Sequence, residues 1–118
     1  MKSYTDLEQS KKLLELGIDA NTADMEYMFH RNDGKIVAPS PFIKDGFENT
    51  GEDRVFDFTP CWSLEALISL LPKRYCLETL DNGTYVCYNF LSQYEKFGKT
   101  PIDAVYSMIV FLKEEKII

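Results

Sequence analysis

The segment "TPIDAVYSMIVFLKEE", residues 100–115, decides the fold because it predicts the central helix. Thr100 is a suitable N-cap, since its hydroxyl can accept a hydrogen bond from a free amide of the first turn. Pro101 suits the first helical position, and Asp103 places negative charge at the positive end of the helix dipole. These signals predict a helix over residues 101–115.

This helix is apolar around nearly its whole circumference. From Ala104 to Leu112, Ser107 is the only polar residue. A helix of this kind lies in the centre of a core, or part of its surface is covered by another chain. We therefore place it at the centre of the core and name, as candidate interface residues, Tyr106, Val110 and Phe111.

A second helix is predicted within "FTPCWSLEALISLLPKR", residues 58–74. Ser63 is a suitable N-cap, and apolar residues recur with helical spacing from position 64 to position 71. Trp62, directly before the cap, is placed to pack on Leu67 as a hydrophobic staple. Pro72 ends the helix because it disfavours helical geometry at the preceding residue. We predict a helix over residues 63–71.

The first helix is predicted over residues 5–16, "TDLEQSKKLLEL". Thr5 and Glu8 match the capping-box pattern, in which two free amide donors are satisfied reciprocally. Gly17 follows at the position where a helix end favours a left-handed residue. We expect this helix to pack beside the terminal one.

Two β-hairpins are expected between the helices. Residues 25–30 alternate in polarity and precede a turn at Asp33–Gly34. Residues 75–91 contain Asn82–Gly83, which favours a two-residue type I′ turn. That turn would place on one apolar face Tyr75, Leu77, Thr79, Val86, Tyr88 and Phe90. Cys76 and Cys87 would then be diagonal neighbours, too poorly placed for an unstrained disulfide.

At 118 residues, the chain is predicted to form one domain, residues 1–118. The fold class is α+β, with three helices packed on a small antiparallel sheet made of the two hairpins. No apolar run approaches the roughly 20 residues that cross a bilayer, so we expect no membrane association. The charged N-terminus lacks the apolar segment of a signal peptide, and the three cysteines are an odd number. Both features favour the cytoplasm.

The formal net charge of −6 disfavours nucleic acid, because phosphate backbones repel an acidic surface. An acidic surface is compatible with a basic protein partner and with simple solubility. The chain contains no Gly-rich phosphate-binding pattern, no Cys-x-x-Cys and no His-x-x-x-His. We therefore predict no cofactor, no Cys/His metal site and no catalytic residue.

One candidate pocket lies around Cys61 and Trp62. Cys61 comes two residues before a predicted helix start, where the helix dipole can lower the pKa of a thiol. The acidic loop beyond residue 44 could line the same pocket through Asp45, Glu48, Glu52 and Asp53. The same four carboxylates could also hold a hard cation, but their spacing does not match an EF-hand, and a solvated loop is the simpler interpretation. Burial of Cys61 is likewise the simpler interpretation of that cysteine.

The motifs "EQSKKL", "TADM", "PCWSLEALISLLP" and "PIDAV" together resemble a group of small proteins from gut Bacteroidales and their phages or integrated elements. The resemblance extends over nearly the whole chain. The group has no assigned activity, so it supplies no catalytic residues. The resemblance implies a small intracellular protein of phage or mobile-element origin.

The leading hypothesis from the sequence is a non-enzymatic accessory or protein-interaction protein. Its partner would be another protein or a second copy of the chain. The alternative is an enzyme or small-molecule-binding protein with its pocket near Cys61 and Trp62. Rapid alkylation of Cys61 would favour the alternative.

Overall fold

The computed structural model describes residues 1–37 and 56–118, together with the backbone of residues 42 and 43. Three α-helices occur in this part of the chain: α1 (Leu7–Glu15), α2 (Leu64–Ser69) and α3 (Pro101–Glu114). Its strands are β1 (Met25–His30), β2 (Phe42–Ile43), β3 (Phe56–Cys61), β4 (Tyr75–Thr79), β5 (Tyr85–Asn89) and β6 (Glu95–Gly98). The α+β class is confirmed.

The strands form two antiparallel sheets, with orders β2-β1-β3 and β4-β5-β6. We had expected one sheet made of the two hairpins. Each hairpin instead recruits a third strand, because β3 pairs along the whole of β1 and β6 pairs with the free edge of β5. β3 contains Pro60 and is an edge strand, where a residue without an N–H group is tolerated.

The first hairpin turn lies where the sequence predicts it. Gly34 has a φ of +70°, and its N–H donates to the carbonyl of His30 at 2.8 Å. Ile36 then forms an isolated bridge with Phe29, and the N–H of Val37 donates to Met28. The predicted strand after the turn is therefore a short returning segment within the described residues.

The second hairpin has a longer turn than predicted. The N–H of Leu80 donates to the carbonyl of Thr84 at 2.8 Å, which leaves three residues in the loop instead of two. Gly83, with a φ of +85°, supplies the left-handed position. A three-residue loop that ends in a left-handed residue is the usual alternative to a type I′ turn.

This turn shifts the strand pairing by one residue. Leu77 lies opposite Cys87, whereas we had predicted Tyr88 as its partner. Cys76 pairs with Tyr88, so Cys76 and Cys87 point to opposite faces of the sheet and cannot form a disulfide. Phe90, which we had placed on the core face, is 58% exposed.

The N-terminal cap of α1 also lies one residue later than predicted. The carboxylate of Asp6 accepts from the N–H of Gln9 at 2.8 Å, and the side chain of Gln9 accepts from the N–H of Asp6. The capping box is therefore Asp6–Gln9 and not Thr5–Glu8. Thr5 is fully buried, and its hydroxyl accepts from the N–H of Trp62.

The N-terminal ends predicted for α2 and α3 agree with the structure, whereas α2 ends at Ser69 and not at the predicted residue 71. Ser63 caps α2 by accepting from the N–H of Ala66, and Thr100 caps α3 by accepting from the N–H of Asp103. α3 lies at the centre of the core and contributes, as buried residues, Pro101, Ile102, Ala104, Val105, Met108, Ile109 and Leu112. Within the described ranges, no helix has the length and apolar character needed to cross a membrane.

Candidate functional site

Cys61 lies at the end of β3, inside a small buried polar cluster. Its side chain has no exposed surface. The thiol donates to the carbonyl oxygen of Thr5 at 3.3 Å, and the hydroxyl of Tyr27 donates to the same oxygen at 2.8 Å. The hydroxyls of Thr5 and Ser10 lie 2.8 Å apart. These contacts join α1 to the first sheet.

The environment of Cys61 is that of a neutral thiol. Burial raises the pKa of Cys61, although hydrogen bonds from Thr5 and Ser10 act in the opposite direction. Cys61 pairs with Met25 at one end of β1, whereas His30 pairs with Phe56 at the other end. At about 3.3 Å per residue, this offset of five residues along the ladder separates the backbones of Cys61 and His30 by roughly 16 Å. The two groups are therefore not arranged as a nucleophile and its base.

Trp62 is also fully buried. Its indole N–H donates to the hydroxyl of Thr22 at 2.9 Å, so the one polar atom of the ring is satisfied inside the protein. Ser63, the residue after Trp62, donates both its N–H and its hydroxyl to the carboxylate of Asp24. These bonds hold the start of α2 against the segment before β1. Both Cys61 and Trp62 therefore have structural partners.

The four carboxylates predicted to line the same pocket lie outside the described residues: Asp45, Glu48, Glu52 and Asp53. In the part of the chain that the structure describes, no group of three or more His, Cys, Asp or Glu side chains could hold a metal ion.

The three predicted interface residues lie together on the outer side of α3. Tyr106, Val110 and Phe111 line one groove of about 360 Å³. The inner side of the same helix is buried in the core, as predicted. The candidate interface residues lie on its outer side. The remaining lining residues are Lys96, Ser107 and Glu114.

Phe111, on one side of the groove, belongs to an aromatic pair. The ring of Tyr94, just before β6, lies 5.0 Å from the ring of Phe111 and at 65° to it. The ammonium group of Lys96 lies 4.4 Å from the centre of the same Phe111 ring. Edge-to-face rings and cation–π contacts each stabilise such an arrangement by about 0.5–1 kcal/mol. β6 therefore fixes one side of the groove.

Carboxylates influence Tyr106, at the other end of the groove. Burial raises the pKa of Tyr106, and the nearby carboxylates of Asp6, Glu114 and Glu8 raise it further, whereas Lys2 opposes them. Lys2 is itself engaged, because its ammonium group lies 3.0 Å from Asp6 and 2.9 Å from Asp103.

The turn that contains Tyr94 also carries large exposed apolar residues. The turn between β5 and β6 presents Phe90, which is 58% exposed, and Leu91, which is 63% exposed. The same turn contains Tyr94, which contacts Phe111. The groove and Tyr94 are together called the α3 surface, defined by Tyr94, Lys96, Tyr106, Ser107, Val110, Phe111 and Glu114.

Sequence reasoning missed the polar members of the α3 surface. Glu114 lies at i+4 from Val110 and i+8 from Tyr106, so helical spacing alone could have placed it on the same side. Lys96 lies on β6, a strand that the sequence did not predict.

A comparison of the chain with protein-family models, with curated proteins and with solved structures found no match.

Proposed function

We propose that this protein is a non-enzymatic accessory protein of the cytoplasm that binds a protein partner through the α3 surface. One observation carries the proposal. The helix α3 lies at the centre of the core, and its outer side has a largely apolar groove of about 360 Å³, lined in part by Tyr106, Val110 and Phe111. Exposed apolar surface next to polar rim residues is typical of protein-binding sites.

The composition of the α3 surface supports this role. Tyrosine and phenylalanine are enriched in protein interfaces, because they combine large apolar area with few rotatable bonds. Tyr106 and Phe111 lie on a helix that is rigidly packed in the core, so little ordering is needed when a partner binds. The free cysteines Cys61, Cys76 and Cys87 support a reducing compartment.

The experiment is site-specific photo-crosslinking in the native host. A photoreactive benzophenone amino acid replaces Ser107, which lines the groove, and in a matched protein it replaces Ile68. Ile68 is a 43% exposed residue of α2 and does not line the groove. We expect a discrete adduct with another protein from position 107 and none from position 68.

Two outcomes would contradict the proposal. Equal adduct patterns from the two positions would show that the groove has no preferred protein partner. An adduct from position 107 with the mass of two copies of this chain would replace the foreign partner with self-association, which light scattering would then confirm. A second substitution, Val110→Glu, should abolish the specific adduct because it puts a charge into the apolar groove.

A further inference from the structure

We infer that the partner bound at the α3 surface is an amphipathic helix with basic residues beside its apolar face. This inference rests on the proposed function and names the chemistry of the partner. It is carried by two features of the same surface: the shape of the groove along α3, and the excess of carboxylates around it.

The shape of the groove fits a helix. Tyr106, Val110 and Glu114 follow each other at intervals of four residues, so they extend over about 12 Å of the helix axis. Helix-in-groove recognition uses anchor side chains at i, i+3 or i+4, and i+7, which repeat over this same length.

The charges around the groove favour a basic occupant. Glu114 and Lys96 line the groove itself, and Asp103 lies one turn before Tyr106 on α3, next to Lys2 and Asp6. Lys2 is shared between Asp6 and Asp103, and Lys96 lies over the Phe111 ring. Glu114, which lines the groove, is therefore the charge best placed for a partner. Complementary charge steers association and excludes partners of the same sign.

A second copy of the chain is disfavoured by the same charges. In a two-fold contact, the same surface meets itself. If two α3 helices crossed near Val110 in antiparallel directions, Glu114 of each copy would approach the Tyr106 end of the other, where Asp6 and Asp103 outnumber Lys2. A parallel arrangement would bring the two Glu114 side chains together. Either contact places like charges opposite each other.

The test is a selection of helical peptides on the full chain. A displayed library of peptides of about 18 residues, or about five helical turns, is randomised at the anchor and flanking positions. Peptides that also bind the Val110→Glu chain are removed. We expect the retained peptides to carry apolar anchors at helical spacing and Lys or Arg at the flanks. Circular dichroism first checks that the Val110→Glu chain is folded.

One selected peptide is then measured by fluorescence anisotropy against a twin in which Glu replaces its Lys and Arg residues. We expect the basic peptide to bind about tenfold more tightly than its twin, equivalent to about 1.4 kcal/mol, and to weaken at high salt. The substitution Glu114→Lys should weaken the basic peptide more than Glu115→Lys, an equal charge change next to the groove residue. Neither substitution removes a buried side chain.

The outcomes separate the two proposals. If the selected peptides bind the groove but carry no basic bias, the inference about charge is wrong and the docking function stands. If selection retains no peptide that depends on Val110 while photo-crosslinking at position 107 captures a protein, the partner is not a helix. If both experiments are negative, the docking function itself is overturned.

Discussion

The ammonium group of Lys96 on β6 lies 4.4 Å from the centre of the Phe111 ring on α3. This contact links the edge of the second sheet to the outer side of the central helix. It also forms a wall of the groove, so the same pair stabilises the fold and shapes the proposed binding surface.

We predict that Lys96→Met lowers the free energy of unfolding by about 0.5–1 kcal/mol, because it keeps an apolar stem and removes the charge over the ring. Lys99→Met is the matched control, since Lys99 is exposed just beyond β6. Urea unfolding at neutral pH measures both. Equal effects of the two substitutions would contradict a contribution from the cation–π contact.

Gly98 is predicted to be the least replaceable glycine among those that the structure describes. A Cβ atom at this position would overlap the backbone nitrogen of Ala104. The end of β6 and the start of α3 would therefore have to move apart. We expect Gly98→Ala to lower the free energy of unfolding by about 1–3 kcal/mol. Thermal unfolding followed by circular dichroism measures it.

Gly83→Ala is the control for that prediction. Gly83 has a φ of +85° but no atom within 4 Å of an added Cβ, so its cost is backbone strain alone. We expect a smaller loss, on the order of 1 kcal/mol. A loss at position 83 that equals or exceeds the loss at position 98 would show that the contact with α3 is not the limiting one.

The elements predicted from the sequence are those that local signals specify. The N-terminal ends of α2 and α3 follow from Ser63 and Thr100, whose side chains accept hydrogen bonds from the first turn of each helix. The strand β1 follows from alternation over six residues. None of these needs information from a distant part of the chain.

The errors concern pairings that local signals do not determine. "DNG" is compatible with a two-residue and a three-residue turn, and the choice shifts every pair between β4 and β5 by one residue. β3 pairs with an edge of β1, and β6 pairs with an edge of β5. No feature in the sequences of β3 and β6 themselves reveals these pairings. Pro60 within β3 even argues against a strand.

The candidate site shows the same division. The apolar circumference of α3 led to Tyr106, Val110 and Phe111 as candidate interface residues, and the structure shows that they line one groove. The wall contributed by Lys96 could not be predicted without β6. The shift of register also explains why Phe90 is exposed although alternation had placed it in the core.

Lys116 is predicted to be a position at which glycine stabilises the protein. Its φ is +58°, and the N–H of the next residue, Ile117, donates to the carbonyl of Leu112 at 2.8 Å. These are the features of a Schellman motif, in which glycine is preferred at the left-handed position. We expect Lys116→Gly to raise the free energy of unfolding by about 0.5–1 kcal/mol.

The matched control is Lys113→Gly, within α3 but three residues earlier. There the same substitution should lower the free energy of unfolding by about 1 kcal/mol, because glycine is a poor residue inside a helix. Chemical denaturation of both variants gives the comparison. Opposite signs are expected, and a destabilising Lys116→Gly would contradict the assignment of the motif.

The three cysteines are predicted to react with iodoacetamide at different rates. Cys76 is partly exposed, whereas Cys61 and Cys87 are fully buried. Burial raises the pKa of Cys87 to about 11 and also raises the pKa of Cys61, so little thiolate is present at neutral pH. Mass spectrometry of the folded protein should show modification of Cys76 first.

Denaturant provides the control for the cysteine prediction. In the unfolded chain all three thiols are accessible, and we expect them to react at similar rates. Rapid modification of Cys61 in the folded protein would contradict its burial and would restore the hypothesis of a reactive pocket beside Trp62. Slow modification that depends on denaturant agrees with a structural cysteine.

Asp103 is predicted to contribute stability that is lost in acid. Burial acts to raise the pKa of Asp103, but hydrogen bonds from Lys2 and Gln9 outweigh it, and the net effect is a lowered pKa. A carboxyl group whose pKa is lower in the folded state stabilises the protein above the unfolded value of about 3.9, and this contribution disappears as the pH falls. The folded state therefore weakens below about pH 4.

Asp103→Asn tests this contribution, because the amide keeps the size of the side chain and cannot ionise. We expect the variant to be less stable than the unaltered chain at pH 6, and the difference to shrink towards pH 2.5. Urea midpoints at several pH values measure it. Glu115→Gln, at an exposed carboxylate of α3's C-cap, is the control. An equal difference in free energy of unfolding at both pH values would show that the ionic contact of Lys2 with Asp103 is not the source of the lost stability. The N-terminal segment would then be held to α3 by neutral hydrogen bonds alone.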